Sequence, residues 1–86
     1  HITDADKVSV FPNPADGKLI IDLSAISSDD PCFVSVYSLT GKTILEKSMM
    51  TGEMHDLYAS LNGYQGLVMI KVEVNGSYQI FKQFIK

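Results

Sequence analysis

The sequence predicts an all-β domain of about seven short strands, a sandwich or a barrel, on three observations. Short apolar runs recur at intervals of roughly 8–12 residues, punctuated by Gly, Pro, Asn and Asp. One run alternates cleanly with period two: Val68, Ile70, Val72 and Val74 stand against Met69, Lys71, Glu73 and Asn75. Helix signals are weak throughout, and only the segment from Asp56 to Leu61 has room for a single turn. With 86 residues the chain makes one domain. A domain of this size buries only roughly 60% of the surface its unfolded chain exposes, which leaves a thin stability margin.

The first strand is Val8-Ser9-Val10-Phe11, with Val8 and Val10 on one face. It cannot run on into Pro12-Asn13-Pro14-Ala15-Asp16-Gly17, where two prolines lack amide donors and Asp16-Gly17 favours a turn. The second strand spans Leu19 to Leu23, with Leu19, Ile21 and Leu23 on one side. A polar loop, Ser27-Ser28-Asp29-Asp30-Pro31, leads to the third, Cys32 to Tyr37. Thr40-Gly41 turns the chain into a fourth, Thr43 to about Met49, and Thr51-Gly52 into a short fifth from Met54 to Tyr58. The sixth is the alternating run ending at Asn75. Asn75-Gly76 then favours a type I′ hairpin turn, both of whose central residues need positive φ. The seventh strand, Tyr78 to Ile85, returns through that turn. Residues 1–7 show no periodicity and read as a frayed lead-in to a domain spanning residues 8–86.

Composition removes several classes of function. With 45% apolar and 20% charged residues the chain is globular rather than disordered. No stretch of about 18 apolar residues occurs, so no helical membrane span is expected. The net charge is −3 and all seven cations are lysine. Nucleic-acid surfaces are basic and rich in guanidinium groups that fork onto phosphates and bases, so nucleic acid is not an expected partner. The start at His1-Ile2-Thr3-Asp4 has no initiator Met, basic region or apolar core of a signal peptide, and reads as a piece of a longer protein.

The residues with chemistry are few. Cys32 lies in the apolar run with Phe33 and Val34 and reads as a small buried hydrophobe; a nucleophile or an intermolecular bridge is the alternative. A catalytic set would need Cys32 with His55 and Asp56, yet adjacent strand residues point to opposite faces, so His55 and Asp56 cannot readily orient one another. His1 and His55 are far apart in the chain and no C-x-x-C pattern exists, so zinc has no ligand set. Asp4, Asp6, Asp29 and Asp30 read as solvated loop acids, since the Gly and distal Glu of a calcium loop are missing. No cofactor is expected. Tyr37, Tyr58, Tyr64 and Tyr78 offer material for an aromatic binding platform, against which stands the ordinary packing role of Tyr in strands.

The last strand is less conventional. Tyr78, Ile80 and Phe84 share a face with Lys82 and Lys86, while Phe81 and Ile85 occupy the other. A strand apolar on both sides is enclosed in a core, or shows one face to a partner, or forms an edge open to strand addition. The plain alternative is a structural hairpin.

Three groups of residues resemble a known family. Val10-Phe11-Pro12-Asn13-Pro14-Ala15-Asp16-Gly17-Lys18-Leu19 is close to an aromatic-PNP-x-x-G-x-hydrophobic pattern. Val34-Ser35-Val36-Tyr37-Ser38-Leu39-Thr40-Gly41-Lys42 follows in the middle. Asp56-Leu57, Leu61, Gly66, Ile70-Lys71-Val72 and the closing Lys82 to Lys86 complete the set. In this order and spacing they are similar to the C-terminal sorting domains (type A) of type IX secretion cargo, a Bacteroidota family also called the Por secretion system. The resemblance covers Val8 to Lys86. One departure is Gly66-Leu67-Val68, where the family usually has Gly-x-Tyr.

The resemblance implies an immunoglobulin-like antiparallel sandwich without catalysis of its own. Such a domain directs an N-terminal cargo domain of the same chain, often a peptidase or other hydrolase, through the outer-membrane translocon. A sortase-like cysteine peptidase then removes it and anchors the cargo at the cell surface, so the route runs through the periplasm to the exterior. Translocon recognition is carried over to Gly66, Lys82, Phe84, Ile85 and Lys86, and a structural role to Pro12, Asn13, Pro14, Gly17 and Gly41. Cleavage is expected near or before residues 1–7. The rival readings are an adhesive or carbohydrate-binding module appended to a secreted enzyme, and an inert spacer.

Overall fold

The computed structural model describes residues 8–26, 31–74 and 76–86. Seven strands form along it: β1 (Ser9–Phe11), β2 (Ile20–Asp22), β3 (Cys32–Ser38), β4 (Thr43–Met49), β5 (Met54–Asp56), β6 (Gly66–Val74) and β7 (Ser77–Ile85). One 3₁₀ turn, Ala59–Leu61, separates β5 from β6. The strands make two antiparallel sheets, β1-β2-β5 and β4-β3-β6-β7. The chain is therefore a β-sandwich, and the barrel alternative falls away. Against the constant-type immunoglobulin arrangement, the fourth strand has moved to the other sheet and lies beside the third.

The alternation read from sequence sets the core. Leu19, Ile21 and Leu23 on one sheet face Cys32, Val34, Val36, Val68, Ile70, Val72 and Val74 on the other, and all are fully buried. Cross-strand rows hold them in register. Leu45, Val36, Ile70 and Phe81 line up across the four-stranded sheet, and Val10, Ile21 and His55 across the other. Burying each large aliphatic side chain contributes roughly 1.5–3 kcal/mol, so these rows are the main favourable term in a small domain.

Most element boundaries fall within one residue of expectation, and two differ by two residues. The fifth strand ends at Asp56 rather than Tyr58. The Asp56 carboxylate accepts the Tyr58 N–H at 2.9 Å and the Leu19 N–H at 3.1 Å, and this cap turns the chain toward the 3₁₀ turn. The sixth strand begins at Gly66, two residues before the alternating run. Val74 pairs with Ser77, which leaves the two-residue connection expected of a tight hairpin. Asn75 itself lies outside the described residues, as do residues 1–7 and the loop acids Asp29 and Asp30.

Candidate functional site

The last strand lies at the edge of the larger sheet, and its far end is held by a segment from the start of the chain. The segment is Pro12-Asn13-Pro14-Ala15, whose two X-Pro bonds, Phe11-Pro12 and Asn13-Pro14, are both cis. The Ala15 N–H donates to the Phe84 oxygen at 2.8 Å, and the Lys86 N–H donates to the Ala15 oxygen at 2.7 Å. These two bonds form a one-residue parallel bridge between Ala15 and Ile85. The Asn13 Oδ1 accepts the Phe84 N–H at 3.3 Å. Gln83 Nε2 donates to the Pro12 oxygen, and the Tyr58 hydroxyl donates to the Lys86 main-chain oxygen. Five hydrogen bonds thus clamp residues 83–86 against the proline segment and the turn after β5.

Beneath the clamp the side chains are closely buried. Ala15 and Ile85 are buried at 0% and 1% exposure, and Gln83 at 2%. A buried amide left without partners would cost about 1–3 kcal/mol, which the bond to Pro12 avoids. Gly66 pairs directly with Ile85, so the start of β6 meets the end of β7 at this corner. Its φ of 122° lies where an L side chain is strained, and glycine is the residue that fits there.

Above the corner, side chains alternate strictly. Tyr78, Ile80, Lys82, Phe84 and Lys86 point outward and are exposed, while Gln83 and Ile85 point inward and are buried. Tyr78, Ile80, Lys82 and Phe84 sit beside Glu73, Lys71, Met69 and Leu67 of β6 in matched pairs. Lys71 Nζ lies 4.8 Å from the centre of the Tyr78 ring, a cation–π contact. The result is an outward face of mixed apolar and cationic character running along the sheet edge.

A family model described as the secretion system C-terminal sorting domain matches residues 9–86. The chain belongs to this family and is a type IX secretion sorting domain. Comparison with curated proteins gives no significant match.

The sorting domain brings all five residues assigned to recognition onto one strand pair. Gly66 and Ile85 face each other, Phe84 and Lys86 flank them, and Lys82 lies one outward position further along. They are not equivalent. Ile85 presents no surface in the folded domain, whereas Phe84 is 45% exposed. Of the proline motif, Pro12 and Asn13 bond directly to the last strand, through the Pro12 oxygen and Asn13 Oδ1. Gly17 and Gly41 hold positive φ in turns.

Ala15, Tyr58 and Gln83 complete the corner, and sequence reasoning missed their part in it. Gln83 carried a signal: it is a polar residue set between Phe81 and Ile85 on one face, a position that asks for a buried partner. Ala15 carried none.

Burial pushes the Cys32 thiol up to about 11, so at neutral pH it is protonated and a poor nucleophile. His55 Nε2 lies 2.9 Å from the Met50 oxygen and 3.5 Å from Glu53, and Asp56 is engaged with amides. His55 and Asp56 are thus each engaged with other partners rather than with one another. Among the tyrosines, Tyr58 and Tyr64 bond to main-chain oxygens, and Tyr78 contacts Lys71. Among the described residues no group of three potential metal ligands occurs, no ligand-sized cavity opens, and no helix is long and apolar enough to cross a membrane.

Proposed function

We propose that the corner formed by Gly66, Lys82, Phe84, Ile85 and Lys86 is the part of the sorting domain read by the outer-membrane secretion machinery. One observation carries this reading. The outward side chains Phe84 and Lys86 stand on a segment that five hydrogen bonds hold in one geometry, with Lys82 one outward position before it. Rigid presentation lowers the ordering cost of binding, so a short exposed motif can be recognised with useful affinity. Gly66 and Ile85 act from beneath, by fixing the strand pair that displays the motif. The cargo attached before residue 8 crosses the periplasm with this corner exposed and passes the translocon. A sortase-like peptidase then cuts in or before residues 1–7, and the cargo is anchored at the surface.

Deleting Phe84-Ile85-Lys86 is a poor test, because it removes the buried Ile85 and most of the clamp. A passenger carrying residues 1–86 at its C-terminus is better compared with the same passenger carrying Lys82→Ser, Phe84→Ser and Lys86→Ser together, in a type IX-competent host. These three side chains are exposed, so the fold is retained while the motif is lost. The expected outcome is a passenger trapped in the periplasm. Surface delivery equal to the unsubstituted fusion, with the fold intact by circular dichroism, would remove the corner from recognition.

A further inference from the structure

The clamp reveals which way the backbone of β7 points. Phe84 N–H and C=O and Lys86 N–H all face the proline segment, away from β6. Along a strand, main-chain groups alternate sides from one residue to the next. Gln79, Phe81 and Gln83 therefore point their N–H and C=O groups at β6, and Tyr78, Ile80 and Lys82 point theirs outward. Among the described residues, β7 is an edge of the sheet and nothing pairs with those outward groups. The proline segment covers the edge only at its far end. What remains open is a stretch of five residues, 78–82, about 16 Å long at roughly 3.3 Å per residue.

Exposed edges in natural proteins are usually blunted by bulges, prolines or several charges. This one carries a single lysine between Ile80 and Phe84, no proline, and an unbroken register with β6 from Gly66 to Val74. It is flanked by exposed apolar side chains: Tyr78 at 60%, Ile80 at 49% and Phe84 at 45%. Among the described residues from Gly66 to Lys86, three lysines, Lys71, Lys82 and Lys86, stand against one acidic side chain, Glu73. An incoming strand with apolar residues beside Tyr78 and Ile80 and a carboxylate beside Lys82 would satisfy hydrogen bonds, contact and charge together.

We propose that residues 78–82 are a strand-addition site, at which an extended segment of the secretion machinery joins the four-stranded sheet as a fifth strand. The proposal rests on the recognition reading above and names the form of the partner. A second copy of this chain is the weaker occupant. Self-pairing through five residues a side falls far below the roughly 20–30 residues a side of a stable interface. The clamp loop beside Phe84 also stops the ladder from growing longer. A brief encounter during export needs no such area.

The test removes one outward donor and leaves the internal ladder whole. Ile80→Pro deletes an N–H that has no partner in the domain, and proline is accepted at that kind of edge position. Ile80→Thr shortens the side chain and keeps the N–H. Both are placed in the passenger fusion beside the Lys82/Phe84/Lys86 triple serine variant. Folding is checked by circular dichroism, and delivery is read as the surface-to-periplasm ratio. If Ile80→Pro does not fold, the α-hydroxy acid analogue of isoleucine, incorporated at position 80, removes the same donor without a ring.

The expected result is a fall of about fivefold or more for the donor-deleted variant, the equivalent of about 1 kcal/mol for one hydrogen bond, with Ile80→Thr close to unsubstituted. A folded donor-deleted variant delivered normally, while the triple variant is trapped, overturns strand addition and leaves the recognition reading standing. Normal delivery of every variant overturns both. An equal loss in Ile80→Thr assigns the effect to the side chain and overturns strand addition. A concentration-dependent dimer of the isolated domain, abolished by Ile80→Pro, gives the edge to a second copy and overturns the proposed partner.

Discussion

Asp56 shows how one side chain can serve two elements. Its carboxylate accepts N–H groups from Tyr58, two residues on, and from Leu19, 37 residues back. Those bonds, the Tyr58 one first, hold its pKa below the usual carboxylate value of 3.8. The folded state therefore favours the ionised form, and the stability this brings is present above about pH 4 and is lost as pH falls through the lowered value. Because the group is exposed, the effect is small. Asp56→Ala is expected to cost about 1 kcal/mol at pH 7, read from urea unfolding. Asp56→Asn should flatten the acid limb of the stability curve between pH 4 and lower pH. An acid limb of unchanged slope would show that this carboxylate has no linked proton. Asp56-Leu57 was visible in the sequence as a motif fragment, but its cap on Leu19 was not, because nothing local to either residue marks a contact across 37 positions.

At the scale of elements, the period-two pattern carried most of the information. The alternation in Val68 to Val74 and in Leu19 to Leu23 assigned the buried faces correctly, since a strand with one face in a core has no freedom in register. The same pattern left the last strand ambiguous, apolar on both sides. The structure resolves it: Phe81 and Ile85 pack inward, while Tyr78, Ile80 and Phe84 remain outside. What no pattern showed was the proline segment closing over the end of that strand, because a bridge of one residue has no periodicity to detect.

Hydrogen exchange tests this geometry amide by amide. In β7 the amides of Gln79, Phe81 and Gln83 should exchange slowly and those of Tyr78, Ile80 and Lys82 quickly, with Phe84 and Lys86 slow again because of the clamp. Uniform protection from residue 78 to residue 86 would mean that the edge is covered along its length.

For the whole molecule the governing quantity is the small margin. At roughly 0.05–0.15 kcal/mol per residue, a chain of 86 residues has about 4–13 kcal/mol of stability in total. Loss of a buried aliphatic side chain alone costs about 2–5 kcal/mol. Removing residues 84–86 takes away Ile85 and four of the five clamp bonds. The truncated domain is expected to melt at least about 10 °C lower, or not to fold at 37 °C, by thermal circular dichroism. A melting temperature within a few degrees of the full domain would show that the clamp has little weight in the fold.

The clamp also has a consequence in time. Asn13 and Phe84 stand 71 positions apart, so the corner cannot close until almost the entire domain has been synthesised. A prematurely stopped chain, or one nicked between β1 and β7 whose pieces separate, lacks the closed corner however well its cargo is folded. On the recognition reading proposed above, the address is then complete only on a finished molecule, and quality control is built into the label itself.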